Sequence, residues 1–166
     1  MKFNNKLTAD RARELFNYDQ STGILTWSRD KGRGKAGEQA GTQTPYGYIR
    51  THVDGHNYLV HRIIWLIIYG EWPKYEIDHI NFNKSDNRLC NLRDATHSTN
   101  QENIYRPRAN NKLGLIGVVH EKKTNKYVAR IRVKGDVIQL GYFAYKEDAA
   151  NAYLLAKRKL HDGCTI

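Results

Sequence analysis

The stretch Ile77–Asn103, IDHINFNKSDNRLCNLRDATHSTNQEN, decides how the rest of the chain is read. Asp78 stands beside His79, an Asn-Leu-Arg run follows at Asn91–Arg93, and Asn100 arrives 22 positions after the acid. An acid and an imidazole side by side, with an amide returning later, is a way to build a small metal site. Asp78 offers a hard anionic oxygen and Asn100 a neutral one, a set that suits Mg2+ or Mn2+ rather than zinc. His79, left free of the metal and open to solvent, has an ordinary pKa of about 6.5 and is placed to act as a base near neutral pH.

These residues carry a resemblance. Ile77-Asp78-His79-Ile80, the polar loop ending at Asp86-Asn87, Asn91-Leu92-Arg93 and Asn100 fall in register with the HNH nuclease motif, in the variant found in phage-borne homing endonucleases. That family builds the motif as a hairpin, a metal and a helix, the ββα-metal arrangement. The resemblance implies that Asp78 and Asn100 are the metal ligands and His79 the catalytic base. It makes Asn91 the amide that bonds backbone across the loop and holds His79 in place. Arg93 becomes a phosphate contact or the partner of a nearby acid such as Asp94. Many such motifs end in His; here Asn100 fills that place, and His97, three residues earlier, is a competing ligand. A hairpin followed by Val60-His61-Arg62 and an apolar helix also resembles the region before the motif, which carries the likeness back to about Tyr18.

Composition narrows the partners. The formal charge is +10 over 166 residues. Residues 1–105 hold 14 basic and 12 acidic side chains, whereas residues 106–166 hold 13 and 5, so the excess is concentrated in the last third. A dense basic segment favours a polyanion, with double-stranded DNA the leading candidate. Charge alone leaves RNA and an anionic membrane surface open. Cys90 and Cys164 are the only cysteines. They make neither a disulfide framework nor a structural zinc site, and they point to a reducing compartment. The longest apolar run, Ile63–Tyr69, is too short to span a bilayer, and Met1–Lys6 lacks the apolar core of a secretory signal. The expected location is the cytoplasm, that of a bacterial host if the chain is phage-encoded.

Around the motif the pattern predicts a helix over Ala9–Phe16 capped by Thr8 and a strand at Gly23–Trp27. A glycine-rich cationic loop follows at Arg29–Gly37, a flexible connector or a follower of the phosphate backbone. Asp54-Gly55 marks a hairpin within Tyr46–His61, and Ile64, Ile67 and Ile68 fit a short buried helix closed by Gly70. Tyr75–Ile80 and Arg88–Arg93 are the expected motif strands, and Ala95–Asn103 the helix bearing Asn100. His61 reads as a structural histidine or one placed at the DNA or the metal. The basic, proline-containing segment 106–113 is the candidate linker between a nuclease domain, 1–105, and a second domain, 114–166.

The second domain reads as three strands and a helix: Gly117–Val119, Tyr127–Val133, Val137–Phe143 and Lys146–Leu160. Alternation sends Tyr127, Ala129, Ile131 and Val133 inward with Ile138 and Leu140, and Val128, Arg130 and Arg132 outward with Val137 and Gln139. Ala149, Ala152, Tyr153, Ala156 and Leu160 form one apolar stripe, Lys157–Lys159 suit the helix C-terminal dipole, and Gly163 stops the chain. The helix covers one sheet face and leaves arginines on the other, a surface that fits a major groove. Gly117-Val118, Tyr127–Arg132, Leu140–Phe143 and Asp148–Tyr153 resemble the APETALA2/ethylene-response-factor type of DNA-binding domain. Ile116, Val119 and Gln139 depart from its pattern where arginines and an aromatic are usual, and Arg130 replaces an acidic position. Candidate DNA contacts are therefore Arg93, Lys122, Arg130, Arg132 and Gln139.

The expected fold class is α+β: a ββα-metal nuclease domain followed by a three-stranded antiparallel sheet packed on one helix. The expected function is metal-dependent cutting of double-stranded DNA, as a nick or a double-strand break. The alternatives are a non-catalytic DNA-binding regulator with a decayed nuclease half, and an RNA-directed protein.

Overall fold

A computed structural model describes residues 5–32, 34–104, 106, 107, 109–161 and 164. It is a mixed α+β chain in two compact units, 1–96 and 97–166. The expected stop at Gly163 lies outside the described residues.

In the first unit, α1 (Ala9–Leu15) starts where Thr8 Oγ1 accepts the Arg11 N–H, and it runs directly into β1 (Phe16–Asp19). β1 pairs antiparallel with β2 (Ile24–Trp27), so the predicted helix end at Phe16 is already strand. A second sheet holds β3 (Thr42–Gln43), β4 (Ile49–Val53) and β5 (His56–Leu59), in that order. Its hairpin turns at Asp54-Gly55, with φ 46° and 80° as a two-residue turn of this kind needs. The apolar run forms α2 (Val60–Tyr69), ended by Gly70. Leu15, Leu25, Val53, Ile63 and Ile64 are almost wholly buried in one core, and α1 packs on α2.

The cationic loop between β2 and β3 is pinned rather than loose. Arg29 pairs with Glu14, Lys31 with Asp54 and Lys35 with Asp30. Asp54 also receives Arg11, and these two cations hold its pKa down to about 2. These carboxylates satisfy the described lysines and arginine of the loop.

The motif hairpin closes the first unit: β6 (Glu76–His79) pairs with β7 (Leu92–Ala95), in register Asp78↔Arg93 and His79↔Leu92. The returning strand starts later than predicted, because Leu89–Asn91 form a single 3-10 turn first. The β1–β2 turn supports this loop. Gly23 has φ 77°, and a Cβ on it would collide with the Arg88 backbone nitrogen and lie 2.7 Å from the Asn87 carbonyl carbon.

The second unit opens with α3 (His97–Glu102), shorter than the expected Ala95–Asn103. Then come β8 (Val118–Glu121), β9 (Lys126–Val133), β10 (Asp136–Phe143) and α4 (Lys146–Leu160). The sheet order is β10-β9-β8, antiparallel throughout. Val118, Ala129 and Ala149 form the contact between sheet and α4, with Leu140 packed beside them. Arg130 and Arg132 are exposed, paired across β10 with Gln139 and Val137. Two expectations from the alternation fail: Val128, expected outward beside Arg130, is wholly buried, and Ile138, although paired with buried Ile131, is 42% exposed. Lys157, which lies with Arg158 and Lys159 in the last turn of α4 as expected, is buried at 1% exposure, with Nζ donating to the Ile104 carbonyl at 2.5 Å. The buried face of α4 runs Ala149, Tyr153, Lys157, a ladder of fours that leaves Leu160 exposed.

The Gly23 contact is testable. Gly23→Ala is expected to lower stability by about 2 kcal/mol or more in urea unfolding, from backbone strain at positive φ plus the collision. A loss below about 0.5 kcal/mol would remove the close approach from consideration.

Candidate active site

His79 ends β6, where the chain leaves the sheet for the polar loop 80–88. That loop has little apolar surface to bury, so polar bonds shape it. Asn91 spans it from below: its Oδ1 accepts the Asn81 N–H at 2.9 Å, and its Nδ2 donates to the Asp86 carbonyl at 2.7 Å. The backbone of Asn91 accepts from Ile80 at 2.9 Å. Asp86 is gripped by Arg88 through Nε and Nη2 and by Asn81 Nδ2, and its pKa is held at about 2, chiefly by Arg88. Tyr18 on β1 donates its hydroxyl to the Asn87 carbonyl at 3.0 Å.

The loop delivers Asn87 to His79. Asn87 Oδ1 lies 3.1 Å from His79 Nε2. An amide oxygen only accepts, so Nε2 carries the proton and Nδ1 is left with its lone pair. Sequence reading treated Asn87 as the end of a polar loop and gave the holding of His79 to Asn91. The direct partner is Asn87; Asn91 shapes the loop that presents it. The missed signal is burial: Asn87 is 2% exposed in a loop otherwise polar and open.

Rings close the remaining sides. His61 stands at 5.0 Å and 89° to the His79 ring, and Tyr48 lies 5.9 Å from His79 and 5.4 Å from His61. The expectation of an imidazole open to solvent is therefore corrected: His79 is 4% exposed. Among the described residues the sealed, unpartnered side-chain polar atoms are Thr44 Oγ1, His61 Nδ1 and His161 Nδ1. His79 Nδ1 is not one of them. Burial pushes the His79 pKa below its ordinary value, against smaller upward pulls from Asn87 and Asp78. The imidazole is neutral at pH 7, the form a base needs.

Asp78, 8% exposed, is met across the hairpin by Arg93, whose Nε and Nη2 both donate to Oδ2, at 3.0 and 2.7 Å. Asp94 is not the acid that takes Arg93; its carboxylate accepts the backbone N–H groups of Lys74 and Tyr75. In the second unit, Asn100 sits half-buried on α3 and His97 is exposed at its start. Among the described residues no group of three or more His, Cys, Asp or Glu gathers to hold an ion. The Asp78 carboxylate is a donor that suits a hard cation which keeps several waters and takes its other ligands from a phosphate. Lys122 lies exposed in the turn before β9, and Gln139 is exposed on β10.

Residues 58–102 match the family model of the HNH endonuclease. The matched segment runs from within β5 through α3 and contains His61, Asp78, His79, Asn87, Asn91 and Asn100. It covers 45 of 166 residues, starting well after Tyr18 and ending before the three-stranded sheet. No curated protein and no solved structure matches the chain. The match supports an HNH nuclease module acting on DNA. Among the described residues no helix is long and apolar enough to cross a membrane.

His61 gives a pH test of this packing. Burial first, and then His79 and Arg62, hold its pKa well below 6.5. Unfolded His61 takes up a proton as pH falls through about 6.5, while the folded form does not, so stability is present above that range and lost below it. The urea midpoint is expected to fall between about pH 7.5 and about pH 5.5, less steeply in His61→Gln. Parallel slopes in the two proteins would contradict the buried neutral histidine.

Proposed function

We propose that the chain is a metal-dependent DNA endonuclease of the HNH homing type. It hydrolyses phosphodiester bonds in double-stranded DNA, with the β8–β9–β10 sheet as an appended DNA-reading surface. One observation carries the reading: a neutral imidazole fixed through Nε2 by Asn87, with Nδ1 outside the sealed, unpartnered set. His79 Nδ1 takes a proton from water, and the water oxygen attacks phosphorus in line with the departing 3′ oxygen. Asn87 keeps the imidazole in the tautomer whose Nδ1 is a base, and stabilises the imidazolium once the proton has moved. Asp78, with Asn100 as the amide partner that the resemblance implies, would hold magnesium or manganese, whose charge when bound stabilises the pentavalent phosphorus and the leaving oxygen. The ββα-metal arrangement belongs to this reading.

In plasmid nicking with magnesium, His79→Ala is expected to lose about 100-fold or more in rate. Asn87→Ala should lose about 10- to 100-fold, with Asp78→Ala inactive. An unchanged rate in His79→Ala sinks the base assignment.

A second reading has one observation in its favour. Arg93 occupies Oδ2 of Asp78 with two N–H groups, as it would in a DNA-binding regulator whose nuclease half no longer cuts. Nicking by the wild-type chain that EDTA abolishes decides for the enzyme; none under any divalent metal decides for the regulator.

For the reading surface, Arg130 and Arg132 are the proposed groove or phosphate contacts, with Gln139 opposite Arg130 and Lys122 at the sheet edge. Arg130→Ala or Arg132→Ala is expected to weaken duplex binding, and to reduce the salt slope by about one where a phosphate contact is lost. Identical affinity and slope in both variants would remove this face from DNA recognition.

A further inference from the structure

The motif segment holds three basic side chains, Lys84, Arg88 and Arg93. Two are spent on carboxylates: Arg88 on Asp86 and Arg93 on Asp78. Lys84 makes no ion pair among the described residues. Its Nζ donates to the Tyr46 carbonyl at 3.2 Å and lies 4.7 Å from the centroid of the Tyr48 ring. The same Tyr48 ring is one wall of the His79 site. Lys84 itself is exposed. The chain therefore places an ammonium with no ion pair among the described residues against a ring whose neighbour is the proposed base. Beside it, Tyr46 stands 80% exposed at the turn that accepts the Lys84 bond.

A lysine left in water samples many rotamers and loses that freedom when it binds. Here a carbonyl and an aromatic face have already narrowed its positions. Both contacts leave the ammonium with N–H groups to spare, since Nζ has three donors. The partner such a group fits is a single anionic oxygen. The exposed Tyr46 ring adds a flat apolar face on which a sugar or an unstacked base can stack.

We propose that Lys84 and Tyr46 form a DNA-contact surface beside the His79 site: Lys84 binds a backbone phosphate close to the bond that is cut, and Tyr46 packs on the adjoining nucleotide. The surface rests on the reading of His79 as the hydrolytic centre for its position along the strand, but not for its ability to bind.

The test uses the full chain and a DNA duplex, with binding measured in EDTA across a salt series and nicking measured separately in magnesium. Lys84→Gln should bind several-fold more weakly, with a salt slope less steep by about one, and Lys84→Arg should keep the wild-type slope. Tyr46→Ala should weaken binding several-fold at unchanged slope, and Tyr46→Phe should restore it. Unchanged thermal unfolding in all four variants separates these effects from misfolding, since both side chains are exposed. A wild-type slope in Lys84→Gln overturns the phosphate contact. If wild type fails to nick while Lys84→Gln still loses one unit of slope, the nuclease reading falls and the contact surface stands. If wild type nicks and Lys84→Gln both nicks and binds like it, the surface falls and the nuclease reading stands.

Discussion

The first unit depends on one hydrogen bond that is weak in itself, between His79 Nε2 and Asn87 Oδ1. Net of solvent such a bond contributes about 1 kcal/mol. Its importance is directional. It selects which imidazole nitrogen keeps a lone pair, and it works only if a polar loop of nine residues holds one shape. No apolar cluster supplies that shape. Asn91 supplies it by bonding both arms of the loop, and Asp86 by collecting Arg88 and Asn81. The β1–β2 hairpin, far upstream in sequence, supplies the backing: Tyr18 bonds the Asn87 carbonyl, and Gly23 leaves room for the Arg88 backbone. The site is local in sequence but not in its support.

Burial of the imidazole has two consequences that pull against each other. Desolvation keeps His79 neutral, and neutrality is the condition for taking a proton. The same desolvation makes the imidazolium costly once the proton has moved. Asn87 and Asp78, which draw the pKa upward, lower that cost. His61, sealed at Nδ1 and packed edge-on to His79, adds rigidity but no hydrogen bond.

What sequence alone made legible follows from the range over which each signal acts. The Asp54-Gly55 turn and the apolar α2 are written in neighbouring residues and appear where their patterns lie, whereas the alternation of β9 places the strand but misplaces Val128, which is wholly buried. β1 was missed because Phe16-Asn-Tyr-Asp19 has no β-branched residue and follows α1 without a turn. Lys157 stands in the last turn of α4 beside Arg158 and Lys159, as the helix dipole favours, but its burial is not written in that basic run. Only the i, i+4 ladder from Ala149 and Tyr153 places it inward, where its ammonium needs the Ile104 carbonyl. Alternation sends Ile138 inward, and its register partner Ile131 is buried, yet Ile138 itself is 42% exposed. Within the site, Asp78, His79 and Asn91 carry recognisable spacing, whereas the role of Asn87 exists only once the loop has closed.

The pairing of Asp78 with Arg93 bears on what each can do. Hairpin register sets the two opposite one another, so their meeting is a property of the strands and not of a ligand. Two of the five N–H groups of Arg93 converge on the same oxygen, which anchors the carboxylate as well as compensating its charge. Removing one partner of a buried pair costs more than the pair contributes, because the other is left uncompensated. Arg93 is thus first a counter-charge for a buried acid, and a phosphate reaches it only by sharing it with Asp78.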